Sequence, residues 1–438
     1  MVDDPTNGHF LSARALPVTA ATEPRRLRAP QWRAALAVLD AVWREQRNAD
    51  ASLQAWFREH REMGGRDRAL VGALVYGVLR DAMRLQRMAG DEASAATLLA
   101  LHALELPDLS AEALRAVAGA ALDDAIARRD GFDAQTLTEA ERGNVPAPAW
   151  EAWCAQYGAA AARQLALALN REAPVDLRVN TLKATRAQAQ AALAEAGMVA
   201  QPTPYAATGL RLARRAALQN TRAWREGWIE PQDEGSQLLG ALLGAGGGER
   251  VVDFCAGAGG KTLALGAAMG DRGELWALDV SAARLSRLAP RAARAGLTIV
   301  RTRTLPDDDW SARQAGRCDA LLVDAPCSGS GTWRRNPELR LRPLDLPALA
   351  REQGAILAAA ARLVRPGGRL VYGTCSVFAA ENEAVVEAFL RENPDFSLEA
   401  AADTLAVPAL HLDSPYLRLL PHLHDTDGFF AARLRRVG

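Results

Sequence analysis

RVVDFCAGAGGKTLALGAAMGDRGELWALDV (residues 250–280) runs from an apolar strand through a glycine turn into a helix, then out into a second strand. Its strands are RVVDF (250–254) and GELWALD (273–279), and the same rhythm continues downstream. LTIVR (297–301), CDALLVD (318–324) and GRLVYGT (368–374) read as further strands with apolar helical segments between them, and GFFAARL (428–434) as a last one. Strands that alternate with helices form a mostly parallel sheet covered on both faces. Ligands of such sheets bind beyond the carboxyl ends of the strands, at the topological switch point. Cys255, Cys327 and Cys375 each fall just past one of those ends.

Upstream the pattern changes twice. Residues 146–230 read as a small α+β unit: Trp150 to Asn170 helical, DLRVN (176–180) a short strand, Arg186 to Ala196 helical with Gly197 as its stop, and TGLRLA (208–213) a second strand. In 29–145, Trp32, Leu36, Leu39 and Trp43 recur at helical spacing, as do Val71, Leu74, Val75, Val78 and Leu85. That stretch predicts an all-α bundle. Residues 1–28 read as a polar arm ending in Arg25, Arg26 and Arg28. A chain of 438 residues accommodates such a multidomain plan, with the α/β domain spanning 231–438.

Composition sets limits on function. With 49% apolar and 24% charged residues the chain reads as globular, and no uncharged run approaches the ~20 residues of a membrane span. MVDDPTNGHF lacks the apolar core of a secretory signal, which predicts a cytoplasmic protein. The 52 basic and 52 acidic residues cancel, so any nucleic acid must be held by local arginine patches. GTWRRNPELRLR (331–342) is the leading one, with Arg334 and Arg335 expected to face phosphates. Lysine occurs only at 183 and 261, which makes Lys261 inside a glycine loop conspicuous. The five cysteines form no CxxC pair, and His422 and His424 lack a third ligand nearby, so no metal is expected.

The loop DFCAGAGGKT (253–262) is glycine-rich but matches neither phosphate-binding pattern. A Walker A loop needs glycine where Cys255 stands, and Thr262 occupies the place of the third glycine of GxGxxG. It suits an adenosyl ligand without a pyrophosphate. Asp279, ending the second strand, is placed to take ribose hydroxyls, or else to cap a helix. LLVDAPCSGSG (321–331) and RPGGRLVYGTCS (365–376) leave neighbouring strands with a carboxylate and two thiols. Those groups suit alkylation of cytosine carbon 5, a poor nucleophile. A thiolate adding to carbon 6 makes carbon 5 an enamine carbon, and a base must then remove its proton so that the thiol can leave. Asp324 is placed to stabilise the adduct from the base ring nitrogen. Chemistry alone allows either cysteine to be the nucleophile.

DAPCSGSG, YGTCS and DFCAGAGGKT resemble the cysteine motifs and cofactor loop of the RsmB/Nop/Sun family of RNA 5-methylcytosine methyltransferases, as do VDLRVNTLK, EPQDEGSQL (230–238), ENE (381–383) and LRLLPHLHDTDGFF (417–430). The resemblance covers about 146–438. It implies a class I, Rossmann-like methyltransferase domain using S-adenosyl-L-methionine held by Cys255, Ala256, Gly257, Ala258, Gly259, Gly260, Lys261, Asp279 and Asp324. By it Cys375 is the nucleophile, Cys327 assists release, and Asp324 and Lys261 frame the base and the methyl donor. RDRALVGALVYGVLR (66–80) resembles the NusB-like RNA-binding domain of the bacterial RsmB branch, which implies 16S ribosomal RNA as the partner and a monomeric enzyme. Two features depart from the family. Gly257 and Ala258 replace the usual alanine and proline of the loop, and the acids Asp307 to Asp309 fall late for the usual adenine contact. The competing expectations are the same chemistry on transfer RNA or 23S ribosomal RNA, a non-catalytic RNA-binding scaffold, and an oxidoreductase on the same sheet.

Overall fold

The computed structural model describes residues 27–90 and 93–438, so the expected N-terminal arm lies outside it but for its last two residues. Contacts divide the chain into two units: residues up to Asn170 together with Asn336–Pro343, and Arg171–Arg335 together with Leu344–Gly438.

The first unit is helical, as the spacing of its apolar residues requires. Helices Ala29–Glu45, Gly65–Arg80 and Ala95–Leu104 bury Trp32, Leu39, Leu74, Val78 and Leu99 in one core. The stretch expected as one helix from Trp150 is two, Ala147–Tyr157 and Ala159–Leu169, because Gly158 sits at φ +80° and turns the chain. The short segment Asn336–Pro343 belongs here through buried polar contacts. Glu338 accepts from the Asn48 side chain at 2.7 Å, and Arg340 donates to the Asn144 carbonyl at 2.9 Å.

In the second unit, β1 (Val175–Val179), β2 (Ala200–Pro202), β3 (Gly209–Leu212) and β4 (Ile229–Pro231) form an antiparallel sheet in the order β2-β3-β1-β4. The larger sheet holds β5 (Arg250–Asp253), β6 (Glu274–Asp279), β7 (Val300–Thr304), β8 (Cys318–Asp324), β9 (Val364–Thr374), β10 (Phe396–Glu399), β11 (Leu417–Leu419) and β12 (Phe429–Arg436). Its order is β10-β12-β9-β8-β5-β6-β7, with β11 paired to β12. The pairs among β5 to β9 are parallel, whereas β12 is antiparallel to β9, β10 and β11. This is the mostly parallel, doubly wound domain anticipated from the strand–helix rhythm. Alternate residues of β8 feed opposite cores. Leu321 and Val323 pack toward Leu357 and Phe389, while Ala320 and Leu322 pack toward Leu238 and Leu265.

The third parallel strand begins at Val300, three residues later than expected. Gly296 ends the preceding helix in the left-handed region, Leu297 turns into the core, and Thr298 is held by Asp271 at 2.8 Å. The extended backbone starts only after those anchors. β10 and β11 were not anticipated, since each is too short for a period to show.

Two loops at the carboxyl end of the sheet cross with almost no clearance. The Gly331 N–H donates to the Cys375 carbonyl at 2.9 Å, and the Gly428 N–H donates to the Gly331 carbonyl at 2.8 Å. A Cβ on Gly331 would lie 2.1 Å from the Gly428 carbonyl oxygen, which is backbone and cannot swing aside. Gly331→Ala is therefore expected to lower stability by about 3 kcal/mol, as overpacking of a tight site does. Gly354→Ala, in a helix with open space around it, should instead raise stability by up to about 1 kcal/mol. Denaturant midpoints of the two variants check both signs.

Candidate active site

The chain order places the switch point between β5 and β8. From β5 it winds outward through β6 to β7, then returns to lay β8 on the other side of β5. The glycine loop leaves β5 there, and its first residues keep pairing as they diverge: Phe254 N–H to Leu322 at 2.8 Å and Ala256 N–H to Leu278 at 2.8 Å. Gly257 lies at φ +56° and donates its N–H to Asp279 Oδ2 at 2.8 Å. Gly259 lies at φ +85°, where a Cβ would meet the Leu288 side chain at 2.2 Å. Arg291 donates to the Ala258 carbonyl, and the buried Arg178 donates to the Gly260 carbonyl at 2.9 Å. Hydrogen bonds on both flanks thus hold the loop that lacks the usual proline.

Below the loop lies a cavity of about 390 Å³. Asp176, Asp233, Asp253, Asp324 and Asp427 line it, with Lys261 and Arg335 as the cations of its lining among the described residues. An acid-rich wall repels a pyrophosphate and favours a ligand that carries positive charge. Asp253 is fully buried, with Oδ2 accepting from Thr262 at 2.6 Å and Oδ1 without a partner among the described residues. Burial pushes its carboxyl up to about 7, a shift that a bound cation would oppose. Lys261 Nζ donates to Asp324 Oδ2 at 2.6 Å. Burial pulls the ammonium pKa down, but the Asp324 carboxylate outweighs it and the net shift is upward, so Lys261 stays charged. Gly260 has open space where a Cβ would stand, so its backbone forms a wall a ligand can approach closely.

The two thiols come together. Cys327, three residues past β8, and Cys375, one past β9, lie with their sulfurs 3.4 Å apart. The contact with Cys375, then burial, pushes the Cys327 thiol well above the usual range. Cys255 is shifted upward too, by burial and then by the nearby Asp253, so it is an inert thiol of the cavity wall. Cys318 is buried in β8 and bonds to carbonyls, in keeping with a structural role.

Of the expected binding residues, Cys255, Ala256, Gly260, Lys261 and Asp324 line the cavity, whereas Gly257, Ala258, Gly259 and Asp279 do not. Both Asp279 oxygens are engaged, Oδ2 by Gly257 and Oδ1 by the Ser281 N–H at 2.8 Å and Arg284 at 2.9 Å. Asp307 caps helix Asp308–Gln314 through the Trp310 N–H at 2.8 Å, which accounts for an acid too late to reach a ligand.

The expectation for the arginine turn fails. Arg334 is 2% exposed and bonds Asp427 at 2.8 Å, and Arg335 bonds Asp233 at 2.8 Å and Asp427 at 2.5 Å. Both guanidiniums are drawn inward by carboxylates that lie far away in sequence. The residues missed from the sequence are of the same kind. Arg178, Asp233, Asp253 and Asp427 become visible only once the fold assembles the cavity. Glu381 belongs to the ENE motif (381–383), whose pattern alone assigns it no role. It is fully buried, and its carboxylate accepts the Ser328 N–H at 2.8 Å and the Gln353 side chain at 2.9 Å. Among the described residues no group of histidine, cysteine and acid side chains is disposed to hold a metal ion.

Comparison with known proteins agrees with this architecture. Residues 241–435 match the family described as 16S rRNA methyltransferase RsmB/F, and residues 146–219 match its ferredoxin-like domain. A ribosomal RNA small subunit methyltransferase B from Vibrio cholerae is 32% identical over 85% of this chain and 90% of its own. A probable enzyme of that name from Synechocystis is 34% identical over 70% of each chain. The solved structure of a methyltransferase homolog protein from Pyrococcus horikoshii superposes with a TM-score of 0.59 at 28% identity, over 70% of this chain and all of that one. With that fold, that acid-lined cavity and relatives of this extent, the chain belongs to the RsmB/F family and is an S-adenosylmethionine-dependent RNA methyltransferase.

Proposed function

We propose that the protein methylates carbon 5 of a cytosine in 16S ribosomal RNA through a covalent cysteine–cytosine adduct. The observation that carries this is the pair of thiols at 3.4 Å beside the cavity that holds Lys261 and Asp324. A methyltransferase acting on an already nucleophilic nitrogen or oxygen needs no thiol, whereas carbon 5 of cytosine needs one to enter and a base to let it leave. S-adenosylmethionine supplies an electrophilic methyl group on a positively charged sulfur. The acid-rich walls, Cys255, Ala256 and Lys261 of the loop and the open face of Gly260 fit that ligand, with Asp279 bracing the loop from behind.

In this scheme Cys375 gives up its proton to solvent and bonds to carbon 6 as the thiolate, and the electron pair displaced from the 5,6 double bond makes carbon 5 nucleophilic. Lys261 and Asp324 hold the polar edge of the base and stabilise charge arriving there. Carbon 5 takes the methyl group, and the electrons of the broken bond stay on the donor sulfur. Cys327, its own proton lost to solvent, takes the carbon 5 proton, and the electrons of that C–H bond restore the double bond and expel Cys375 as its thiolate. The shift on Cys327 supports this order. Its first cause is the neighbouring Cys375 sulfur, and bonding Cys375 to carbon 6 removes that cause, which frees Cys327 to act as a base. We read the helical region 29–145 as a NusB-like RNA-binding domain and 146–230 as the unit joining it to the methyltransferase domain 231–438. The names of the curated relatives support the small ribosomal subunit as the target.

Three outcomes follow. Cys375→Ala abolishes methylation, whereas Cys327→Ala accumulates a protein–RNA adduct that survives denaturing electrophoresis; normal turnover by Cys327→Ala contradicts the scheme. Gly260→Ala places a methyl group in the cavity and is expected to weaken S-adenosylmethionine binding about tenfold by calorimetry while leaving stability within about 0.5 kcal/mol. Bisulfite sequencing of total RNA from a strain lacking the gene shows one 16S cytosine newly converted; loss of protection in transfer RNA or 23S RNA instead overturns the substrate assignment.

A further inference from the structure

Glu381 is a carboxylate with no exposure to solvent, outside the cavity and without a role in the scheme above. Its side chain joins the residues that follow the two cysteines. Ser328, next to Cys327, gives it the backbone N–H at 2.8 Å and the hydroxyl at 2.6 Å. Ser376, next to Cys375, gives it a second hydroxyl. The Gln353 amide completes the set at 2.9 Å and also binds the Pro326 carbonyl at 3.0 Å, on the other side of Cys327. Both serine hydroxyls also meet Ser330 Oγ, at 3.1 Å and 3.2 Å. Glu381 is held in turn from β9, where the Tyr372 hydroxyl donates to its carbonyl at 2.6 Å.

A buried charge is retained only where several donors satisfy it. Here every donor to the carboxylate belongs to one of the two thiol loops or to the glutamine that braces one of them. No other acid or base of the described residues touches it. The geometry is therefore a clasp between two loops that leave different strands, alongside the sulfur contact, the Gly331 crossing and the Ser330 hydroxyl, which meets Ser376 and accepts the Val377 N–H at 3.0 Å.

We propose that Glu381 is a positioning residue that fixes the distance between the Cys375 and Cys327 sulfurs, so that Cys327 reaches the carbon 5 proton once Cys375 is bonded to carbon 6. This inference rests on the adduct chemistry proposed above. It predicts a specific failure: loosening the clasp leaves attack by Cys375 and cofactor binding in place but slows release. The Glu381 charge also helps to keep Cys327 protonated before the adduct forms, after the larger effects of Cys375 and burial.

The test uses the full-length enzyme with 16S RNA and S-adenosylmethionine, and compares Glu381→Ala, Glu381→Gln and Ser376→Ala with Cys327→Ala. Glu381→Ala is expected to lose about a hundredfold in turnover, the scale of a misplaced reacting group, and to accumulate methylated protein–RNA adduct although Cys327 is present. Its affinity for S-adenosylmethionine should stay within about twofold of the parent. Glu381→Gln keeps the acceptor for Ser328 and Gln353, and the serine hydroxyls can rotate to accept from its amide, so it should recover most of the turnover. Ser376→Ala, which removes one arm and leaves the carboxylate, should show a milder accumulation and decides the matter if Glu381→Ala does not fold. Loss of rate without adduct, or full turnover in both Glu381→Ala and Ser376→Ala, overturns the inference. If Cys327→Ala itself forms no adduct, the underlying scheme fails instead.

Discussion

The contact between two sulfurs at 3.4 Å is the constraint around which the catalytic domain is arranged. β8 and β9 are adjacent and parallel, with Asp324 opposite Gly373, so residues just past their ends emerge side by side. Proximity of strands does not by itself fix two side chains on separate loops. The backbone crossing at Gly331 and Gly428, the bond from Gly331 to the Cys375 carbonyl and the buried Glu381 carboxylate together over-determine those loops. Precision of this kind is costly in buried polar groups, and the Glu381 carboxylate is satisfied by donors from the two loops and from Gln353.

Electrostatics gives the neighbouring cavity its selectivity. Of the five lining carboxylates, Asp324 pairs with Lys261, Asp233 with Arg335, Asp427 with Arg334 and Arg335, and Asp176 with Arg211, which leaves Asp253 without an ion pair among the described residues. That unpaired carboxyl, with Oδ1 free of partners among the described residues, suits a cationic methyl donor better than a pyrophosphate. Lys261 is one of two lysines in a chain that otherwise uses arginine. Its compact ammonium reaches Asp324 from the loop in one short hydrogen bond of 2.6 Å.

Much of this was legible in the amino-acid sequence because local rules carried it. Apolar runs ending in an acid and a glycine turn predicted β5 and β8, helical spacing predicted the bundle, and the two thiols announced themselves by falling past neighbouring strand ends. Failures arose where distant residues decide. Arg334 and Arg335 are expected to face phosphates, whereas Asp233 and Asp427, roughly a hundred residues away on either side, turn them inward. β7 slipped because its start is set by anchors at Gly296 and Asp271 rather than by its own pattern. Glu381 enters the sequence reading only as part of the ENE motif, since nothing local shows that four donors converge on it.

Isotope release from carbon 5 tests the central claim most directly. RNA substrate carrying tritium at carbon 5 of its cytosines is incubated with enzyme and S-adenosylmethionine, and tritium in water is counted against methyl groups incorporated. Substitution at carbon 5 predicts one tritium released for every methyl transferred. Methyl incorporation with the tritium retained would place the chemistry on another atom and contradict the roles given to both thiols.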